Sequence, residues 1–261
     1  MNNLSHAVRR FNRFELKYLL SMQQAELFKS ALRAYLVADE HGDGSGSYPL
    51  TSLYYDSPDY RCYWEKVDGV KFRRKLRIRC YGDTQALSQQ TPVFVEIKQR
   101  LDRVTQKRRA VLPYASALQL CNGRQAPDHD PADGAVIDEM QAFLWQYNLR
   151  PASIVRYARQ AFIGSEYDLG LRVTFDTSLT CQTDPLTLHE TPAPLPMLPP
   201  DRVVMEIKAN ERVPYWLTEL VAAHNLRLER MSKYCRGIEI TRPYAGSPAV
   251  RSSKFVEMRV S

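Results

Sequence analysis

Five cations take every second place in one stretch of the chain: Lys71, Arg73, Lys75, Arg77 and Arg79. The residues between them are Phe72, Arg74, Leu76, Ile78 and Cys80, apolar except for Arg74. A period of two is that of a β-strand, here with one cationic and one mostly apolar face. Same-face neighbours on a strand sit ~6.5–7 Å apart, and at an effective dielectric of about 20 two such cations repel by roughly 2.4 kcal/mol. Bulk water screens that repulsion, so a single strand of this kind is accounted for by a solvated outer face. In an enclosed space the same strand requires an anion.

A second pattern bears on the choice. Glu15-Leu16-Lys17, Glu96-Ile97-Lys98 and Glu206-Ile207-Lys208 repeat one tripeptide, and the last two extend to Val-x-(Val/Met)-Glu-Ile-Lys. Each places Glu and Lys on one strand face and the apolar residue on the other. One Glu-x-Lys is an ordinary surface ion pair. Three copies beside a five-cation face suggest a sheet that curls shut with its charges inward. Lysines and arginines in such a cavity need water and an anion to offset desolvation and mutual repulsion. Glutamates there can neutralise cations or hold Mg²⁺ or Mn²⁺, which favour carboxylate and phosphate oxygens.

The elements that must position these residues are legible in order. Residues 13–18 alternate as a strand. Ser21 and Gln24 form a capping-box pattern, and Ala25, Phe28, Leu32 and Tyr35 follow at helical spacing, which predicts an amphipathic helix over 22–36. A glycine-containing loop covers 39–47, a strand 48–55, and a short helix follows Asp56-Ser57-Pro58. After the basic strand, 93–100 and 103–112 read as a β-hairpin, with Arg103, Lys107 and Arg109 on one face of the returning strand. A short helix over 114–120 follows. Val136, Ile137, Met140, Phe143, Leu144 and Tyr147 mark a further helix. Strands are predicted over 153–164, over 169–176 with Arg172, Thr174 and Asp176 on one face, and over 202–210. Pro214 opens a helix carrying Trp216, Leu217, Leu220 and Val221. A short piece at 238–241 closes the core. No linker divides the chain, so residues 1–241 read as a single domain and 242–261 as a basic tail.

The 261 residues carry 36 Lys and Arg against 29 Asp and Glu, a net charge of +7 that favours anionic partners. The five cysteines include no C-x-x-C pair, which disfavours a disulfide framework or a structural zinc site. No apolar run reaches the roughly 18 residues of a membrane span, and residues 1–10 lack the apolar core of a signal peptide. A cytoplasmic location is the expectation.

Ordered segments along nearly the whole chain resemble the triphosphate tunnel metalloenzyme superfamily, and more closely its VTC (vacuolar transporter chaperone) branch, the polyphosphate polymerase domain. They are the strand 13–18, Tyr54-Tyr55-Asp56-Ser57-Pro58, the strand 75–82, Val95-Glu96-Ile97-Lys98, Tyr157-Ala158-Arg159, Leu171-Arg172-Val173-Thr174, Met205-Glu206-Ile207-Lys208 and Ser232-Lys233-Tyr234. The resemblance implies an α+β fold, an antiparallel eight-stranded β-barrel (the triphosphate tunnel) with helices packed outside. It implies phosphate ligands at Lys17, Arg77, Arg79, Lys98, Lys107, Arg159, Arg172 and Lys233. Glu206 would hold Mn²⁺ or Mg²⁺, with Glu15 and Glu96 as further candidates for the metal or for orienting the lysines. ATP would be the donor, and phosphate or a growing polyphosphate chain the acceptor. Water as acceptor would make a triphosphatase of the same residues. The resemblance leaves room for a membrane-protein partner. Relatives in the wider superfamily carry Glu-x-Glu-x-Lys on the first strand. Arg13 stands here in the first Glu position, which argues against a two-carboxylate metal site there and against the hydrolytic, adenylate-cyclase-like branch.

Other motifs add little. Asp128-His129-Asp130 with Asp133 reads as an acidic loop, and Arg74 as outward-facing, with Arg73 and Lys75 completing the lining. No P-loop and no nucleophile elbow is present. The rival reading is a non-catalytic binder of RNA or polyphosphate using the basic face as an open platform. Aromatics interleaved with the cations would favour it, and the only aromatic within 71–79, Phe72, lies on the opposite face. A degenerate regulatory subunit is the third reading, against which stands the full set of basic candidates.

Overall fold

Ten strands form one sheet in this computed structural model, which describes residues 13–39, 46–102, 104–164, 168, 170–190, 193–210 and 212–242. The expectations placed on residues 1–12, on Arg103, on the side chain of Arg13 and on the tail beyond 242 lie outside the described residues. In chain order the elements are β1 (Arg13–Ser21), α1 (Met22–Leu32), β2 (Leu36–Ala38), β3 (Ser47–Asp56), α2 (Arg61–Val67), β4 (Phe72–Tyr81), β5 (Pro92–Leu101), β6 (Val104–Pro113), α3 (Tyr114–Cys121), α4 (Gly134–Gln146), β7 (Arg150–Gly164), β8 (Arg172–Gln182), β9 (Leu195–Pro196), β10 (Arg202–Asn210), α5 (Tyr215–Ala223) and α6 (Lys233–Thr241).

Eight strands make a continuous antiparallel path, β1-β10-β8-β7-β3-β4-β5-β6, with β2 paired to β7 and β9 to β8. The path curls until β1 returns beside β6. No strand ladder joins those two edges among the described residues. Across the seam, Lys98 of β5 donates to Glu15 of β1 at 2.7 and 2.9 Å. The antiparallel eight-strand tunnel expected from the resemblance is therefore the observed architecture, with the Lys98–Glu15 pair bridging β5 to β1 across the seam and the 228–229 segment bonded to the free edge of β1.

The outward face of each strand is greasy and covered. Leu76, Ile78, Val93, Val95, Ile97, Ala110 and Leu112 from β4, β5 and β6 pack against Ala117 and Leu120 of α3 and Ile137, Met140, Phe143 and Leu144 of α4. Tyr18, Leu20, Val173, Phe175, Val203, Met205 and Ile207 pack against Ala25, Phe28 and Leu32 of α1 and Leu217 of α5. Burying a side chain of this class contributes roughly 1.5–3 kcal/mol, which fixes the strand parity and drives the charged residues to the concave side. Arg74 lies on the outer side as expected, its guanidinium 4.2 Å from the Phe143 ring centre and hydrogen-bonded to Gln146.

Three local outcomes differ from the sequence expectation, the first being that the strand expected over 169–176 runs over Arg172–Gln182 as β8. The first helix stops at Leu32, not residue 36, and the chain returns as β2, which pairs with the end of β7. Its start is as read: Ser21 Oγ accepts from the Gln24 N–H and Gln24 Oε1 from the Ser21 N–H. The piece at 238–241 is the last turn of a nine-residue helix, α6, begun by the Ser232 cap on the Cys235 N–H. This helix lies at one end of the tunnel, with Tyr234, Cys235 and Ile238 against Tyr54, Val155, Cys181 and Val204. A Cβ at Gly237 would meet Ser153 Oγ at 3.2 Å and Cys181 Cβ at 3.3 Å, so glycine permits the close approach. A buried Asp56 ties the same end together. Its carboxylate accepts from the Cys62 and Tyr63 N–H groups at the start of α2 and from the Tyr234 hydroxyl of α6.

Candidate active site: a cationic tunnel

The tunnel wall is built by register. Antiparallel pairing sets Lys17 opposite Glu206, Glu15 opposite Lys208, Glu206 opposite Thr174, and Arg159 opposite Asp176. On the other side it sets Arg77 opposite Tyr54 and Glu96, and Lys98 opposite Lys75 and Lys107. All eight cations expected as phosphate ligands are brought to this one concave face.

Seven of them fall into three groups. In the first, Glu206 lies among Lys233 (2.9 Å), Lys208 (2.8 Å), Lys17 (3.4 Å) and Arg159 (4.0 Å). Asp176 accepts a bidentate bond from Arg159 at 2.6 and 2.7 Å and pairs with Lys233 at 2.6 Å. In the second, Glu96 accepts from Arg77 at 2.6 and 2.8 Å and from Lys107 at 3.0 Å, with Arg79 at 4.0 Å. Arg79 also donates to Ser52 Oγ and the Tyr157 hydroxyl, and Arg77 to the Tyr54 hydroxyl. Lys98 with Glu15 is the third group. Arg172 sits apart near one mouth, donating to Asp39 at 2.6 Å and the Tyr48 hydroxyl at 2.9 Å.

Lys233 is the first residue of α6, so the helix N-terminus faces the charged interior and adds its partial positive charge there. The preceding loop closes around it: Lys17 donates to the Met231 carbonyl and Lys75 to Ser232 Oγ.

Burial opposes every charge in this site, and the partners decide the outcome. Burial pushes the Glu206 carboxyl up, yet Lys208, Lys233, Lys17 and Arg159 hold it far below the usual carboxylate range. Glu96 is held down in the same way by Arg77, Arg79 and Lys107, and Glu15 by Lys98 and Lys17. Burial lowers Lys233, but Asp176 and Glu206 hold it well above the usual lysine range, whereas three other lysines go down. Burial lowers Lys98 and Lys107, and it lowers Lys208 to about 8 despite the Glu206 contact. Tyr54 is raised by burial but pulled down to about 8 by Arg77 and Arg79. The carboxylates are thus all ionised at neutral pH and still outnumbered by cations. Taking an ion out of water costs several kcal/mol unless it is paired, and the surplus cations define a site for a multiply charged anion.

A divalent metal fits part of this donor set. Among the described residues, no three His, Cys, Asp or Glu side chains converge on one point. Mg²⁺ and Mn²⁺ are commonly held by one or two carboxylates plus substrate phosphates and water, so a single ionised carboxylate suffices. Glu206 is such a donor, 5 % exposed on the interior face. Opposite it in the ladder, Thr174 Oγ1 is buried with no hydrogen-bond partner, an oxygen whose bonding capacity is unused. Glu15 lies diagonal to Glu206 and is taken up by Lys98, while Glu96 is clamped between Arg77 and Lys107.

Several participants were missed by the sequence reading. Lys208 occupies the same place in its tripeptide as Lys17 and Lys98 do in theirs, a signal that was present. Asp176 was read only as sharing a face with Arg172. The phenols of Tyr48, Tyr54 and Tyr157 had no periodic signature as arginine partners. The acidic loop stays away from the tunnel; there His129 Nδ1 lies 2.7 Å from the Pro127 carbonyl and Asp130 caps its own turn.

Comparison with known proteins bears on this geometry. The family model described as the VTC domain matches residues 12–242. Subunit 4 of the vacuolar transporter chaperone complex from Trypanosoma brucei brucei is 24 % identical over 73 % of this chain and 28 % of its own length. The same subunit from Trypanosoma cruzi is 26 % identical over the same shares. The matched segment thus spans little more than a quarter of those relatives. Among solved structures, a candidate adenylate cyclase from Bacillus halodurans aligns with a TM-score of 0.47 and 14 % identity, over 84 % of this chain and 92 % of that one. A candidate adenylyl cyclase from Hippeastrum, described as having a dominant triphosphatase activity, aligns at 0.48 and 14 %, over 85 % and 93 %. These two likenesses are distant, and nothing about activity follows from them.

Proposed function

The chain belongs to the VTC domain family, and from that premise we propose that it moves the terminal phosphoryl group of ATP onto phosphate or the end of a polyphosphate chain inside the tunnel. The observation that carries this reading is the convergence of Lys17, Arg77, Arg79, Lys98, Lys107, Arg159, Lys208 and Lys233 on an interior whose carboxylates cannot neutralise them.

Phosphoryl transfer asks little covalent chemistry of a protein. It needs donor and acceptor in line and stabilised charge on the transferring group. Arg77 and Arg79 present planar, multi-donor guanidiniums suited to phosphate oxygens, and Ser52, Tyr54 and Tyr157 hold them from behind. Lys233 and Arg159, held on Asp176, lie against the ring of the same Tyr157 whose hydroxyl Arg79 reaches, so the four cations line one continuous stretch of the interior. Such fixed cations act in a partly dehydrated space with no reorganisation at the moment of transfer. When bound at Glu206, Mg²⁺ or Mn²⁺ supplies Lewis-acid neutralisation of phosphate charge. The acceptor, a phosphate oxygen, binds the same lining and needs no dedicated base.

The relatives are subunits of a complex, and we read this chain as acting with partner chains, membrane proteins among them, from the cytoplasmic side. None of the described helices is long and apolar enough to cross a membrane.

Incubation with ATP and Mn²⁺, followed by sizing of the phosphate products on a gel, tests the reading. The expected result is chains many units long. Release of orthophosphate without chain growth replaces the polymerase with a triphosphatase on the same residues. Metal-independent binding of long polymers, lost steeply with salt and without turnover, replaces both with a binding module.

A further inference from the structure

The two mouths of the tunnel are chemically unlike. At one, the β4–β5–β6 wall ends in Arg73 and Arg100, opposite one another in register, with Lys66 of α2 close to Arg73. At the other, the same wall ends in rings. Tyr81 follows Arg77 and Arg79 on the inward face of β4, and Phe94 precedes Glu96 on the inward face of β5. Their ring centres are 5.2 Å apart, edge to face, and Tyr48 of β3 lies 6.0 Å from Tyr81. The Arg109 guanidinium stacks 4.8 Å over Phe94. Tyr81 is 39 % exposed and Phe94 half-buried, so open ring surface remains at the rim.

We propose that this aromatic mouth is a nucleobase platform, on which the base of a nucleoside triphosphate stacks while its phosphates reach in to Arg77 and Arg79. The inference rests on the reading that the tunnel takes a nucleotide donor, and it adds the orientation of that donor. Four observations support it. A lining meant only for inorganic phosphate has no use for exposed rings beyond its last arginine, because rings leave phosphate charge unsatisfied. Aromatic faces and stacked guanidiniums are what a base of any identity prefers. Spacing agrees: Tyr81 lies two residues, ~7 Å, beyond Arg79 and about 13 Å beyond Arg77, which leaves room for a sugar and part of the phosphate chain. The opposite mouth, with Arg73, Arg100 and Lys66, is the end where α6 sits, its Ser232 cap and Cys235 against Lys75, so the aromatic mouth is the approach left to a nucleotide.

Calorimetric titration of ATP and of tripolyphosphate into the wild type and into Tyr81→Ala, Phe94→Ala and Tyr81→Trp tests the platform. Each alanine variant is expected to weaken ATP about tenfold while tripolyphosphate shifts less than about twofold. Tyr81→Trp, which keeps a stacking surface, is expected to keep ATP affinity. The tripolyphosphate titration also reports that each variant is folded. ATP affinity unchanged in both alanine variants, or both ligands weakened by the same factor, overturns the platform while leaving the anion-binding tunnel in place. A wild type that binds neither ligand overturns the tunnel reading and the platform together.

Discussion

Arg159 and Asp176 face one another across β7 and β8 as a bidentate pair, both buried, with Lys233 on the same carboxylate. In a site made for anions this carboxylate is the occupant of the empty state: it holds two cations ready until a phosphate shares them. Asp176→Asn leaves both cations under-compensated. Breaking a buried pair this way costs about 3 kcal/mol or more, a fall in melting temperature of about 6–12 °C for a chain of this length. Tripolyphosphate, supplying the missing charge, is expected to raise the melting temperature of the variant more than that of the wild type. Thermal unfolding with and without the anion checks both parts.

Arg77→Ala and Arg79→Ala remove the two guanidiniums of β4. Each is expected to weaken ATP and tripolyphosphate alike by about 100-fold, the scale for truncating one side of a buried charge pair. Tyr54→Phe, which deletes only the hydroxyl that positions Arg77, is expected to cost about tenfold or less. Calorimetric titration separates the three. Normal ATP binding by either arginine variant would remove β4 as the phosphate cradle.

Glu206→Ala separates a metal ligand from a charge-balancing residue. Loss of a negative charge beside Lys17, Lys208 and Lys233 should leave metal-free tripolyphosphate binding as tight as before or tighter. Turnover with Mn²⁺ should fall by about 100-fold or more. Unchanged turnover would take the metal role from this residue.

Two groups give the site a pH dependence near 8. Lys208, lowered chiefly by burial, loses its charge as pH rises through about 8, and Tyr54 gains a negative charge in the same range. Each change disfavours an anion, so above pH 8 the dissociation constant for tripolyphosphate should climb by up to about tenfold per pH unit per group. Lys208→Arg should remove one contribution, and Lys208→Arg with Tyr54→Phe should flatten the profile. The stability term of Lys208 runs the other way. The unfolded chain keeps this proton up to about 10.4, so between pH 8 and that value rising pH favours the folded state. Titration at several pH values and urea unfolding over the same range report the two signs separately.

The concave face was legible because strand parity is a local property. Leu76 and Ile78 must go into the core, so Lys75, Arg77 and Arg79 must not, and the Glu-x-Lys tripeptides repeat the same logic on β1, β5 and β10. Which cation meets which carboxylate was not legible. Lys98 finds Glu15 across 83 positions of sequence, and Arg172 finds Asp39 across 133. Those pairings follow from strand tilt and from how far the sheet curls, neither of which is encoded in a window of a few residues. The closing helix was hidden for a similar reason. Lys233 through Thr241 carries a glycine in its middle, a residue that weakens a helix, and its fit depends on Gly237 meeting Ser153 and Cys181, residues far away in the chain.

The seam between β1 and β6 gives the wall a mechanical character that a fully laddered ring lacks. A cylinder stitched by backbone bonds all round has a fixed bore, whereas among the described residues no ladder joins β1 to β6, and that edge of β1 is tied by the Lys98–Glu15 pair and by the Glu229 N–H on the Lys17 carbonyl. Ionic latches loosen as salt rises. The closure of the wall along that line therefore depends on ionic strength in a way the laddered strands do not.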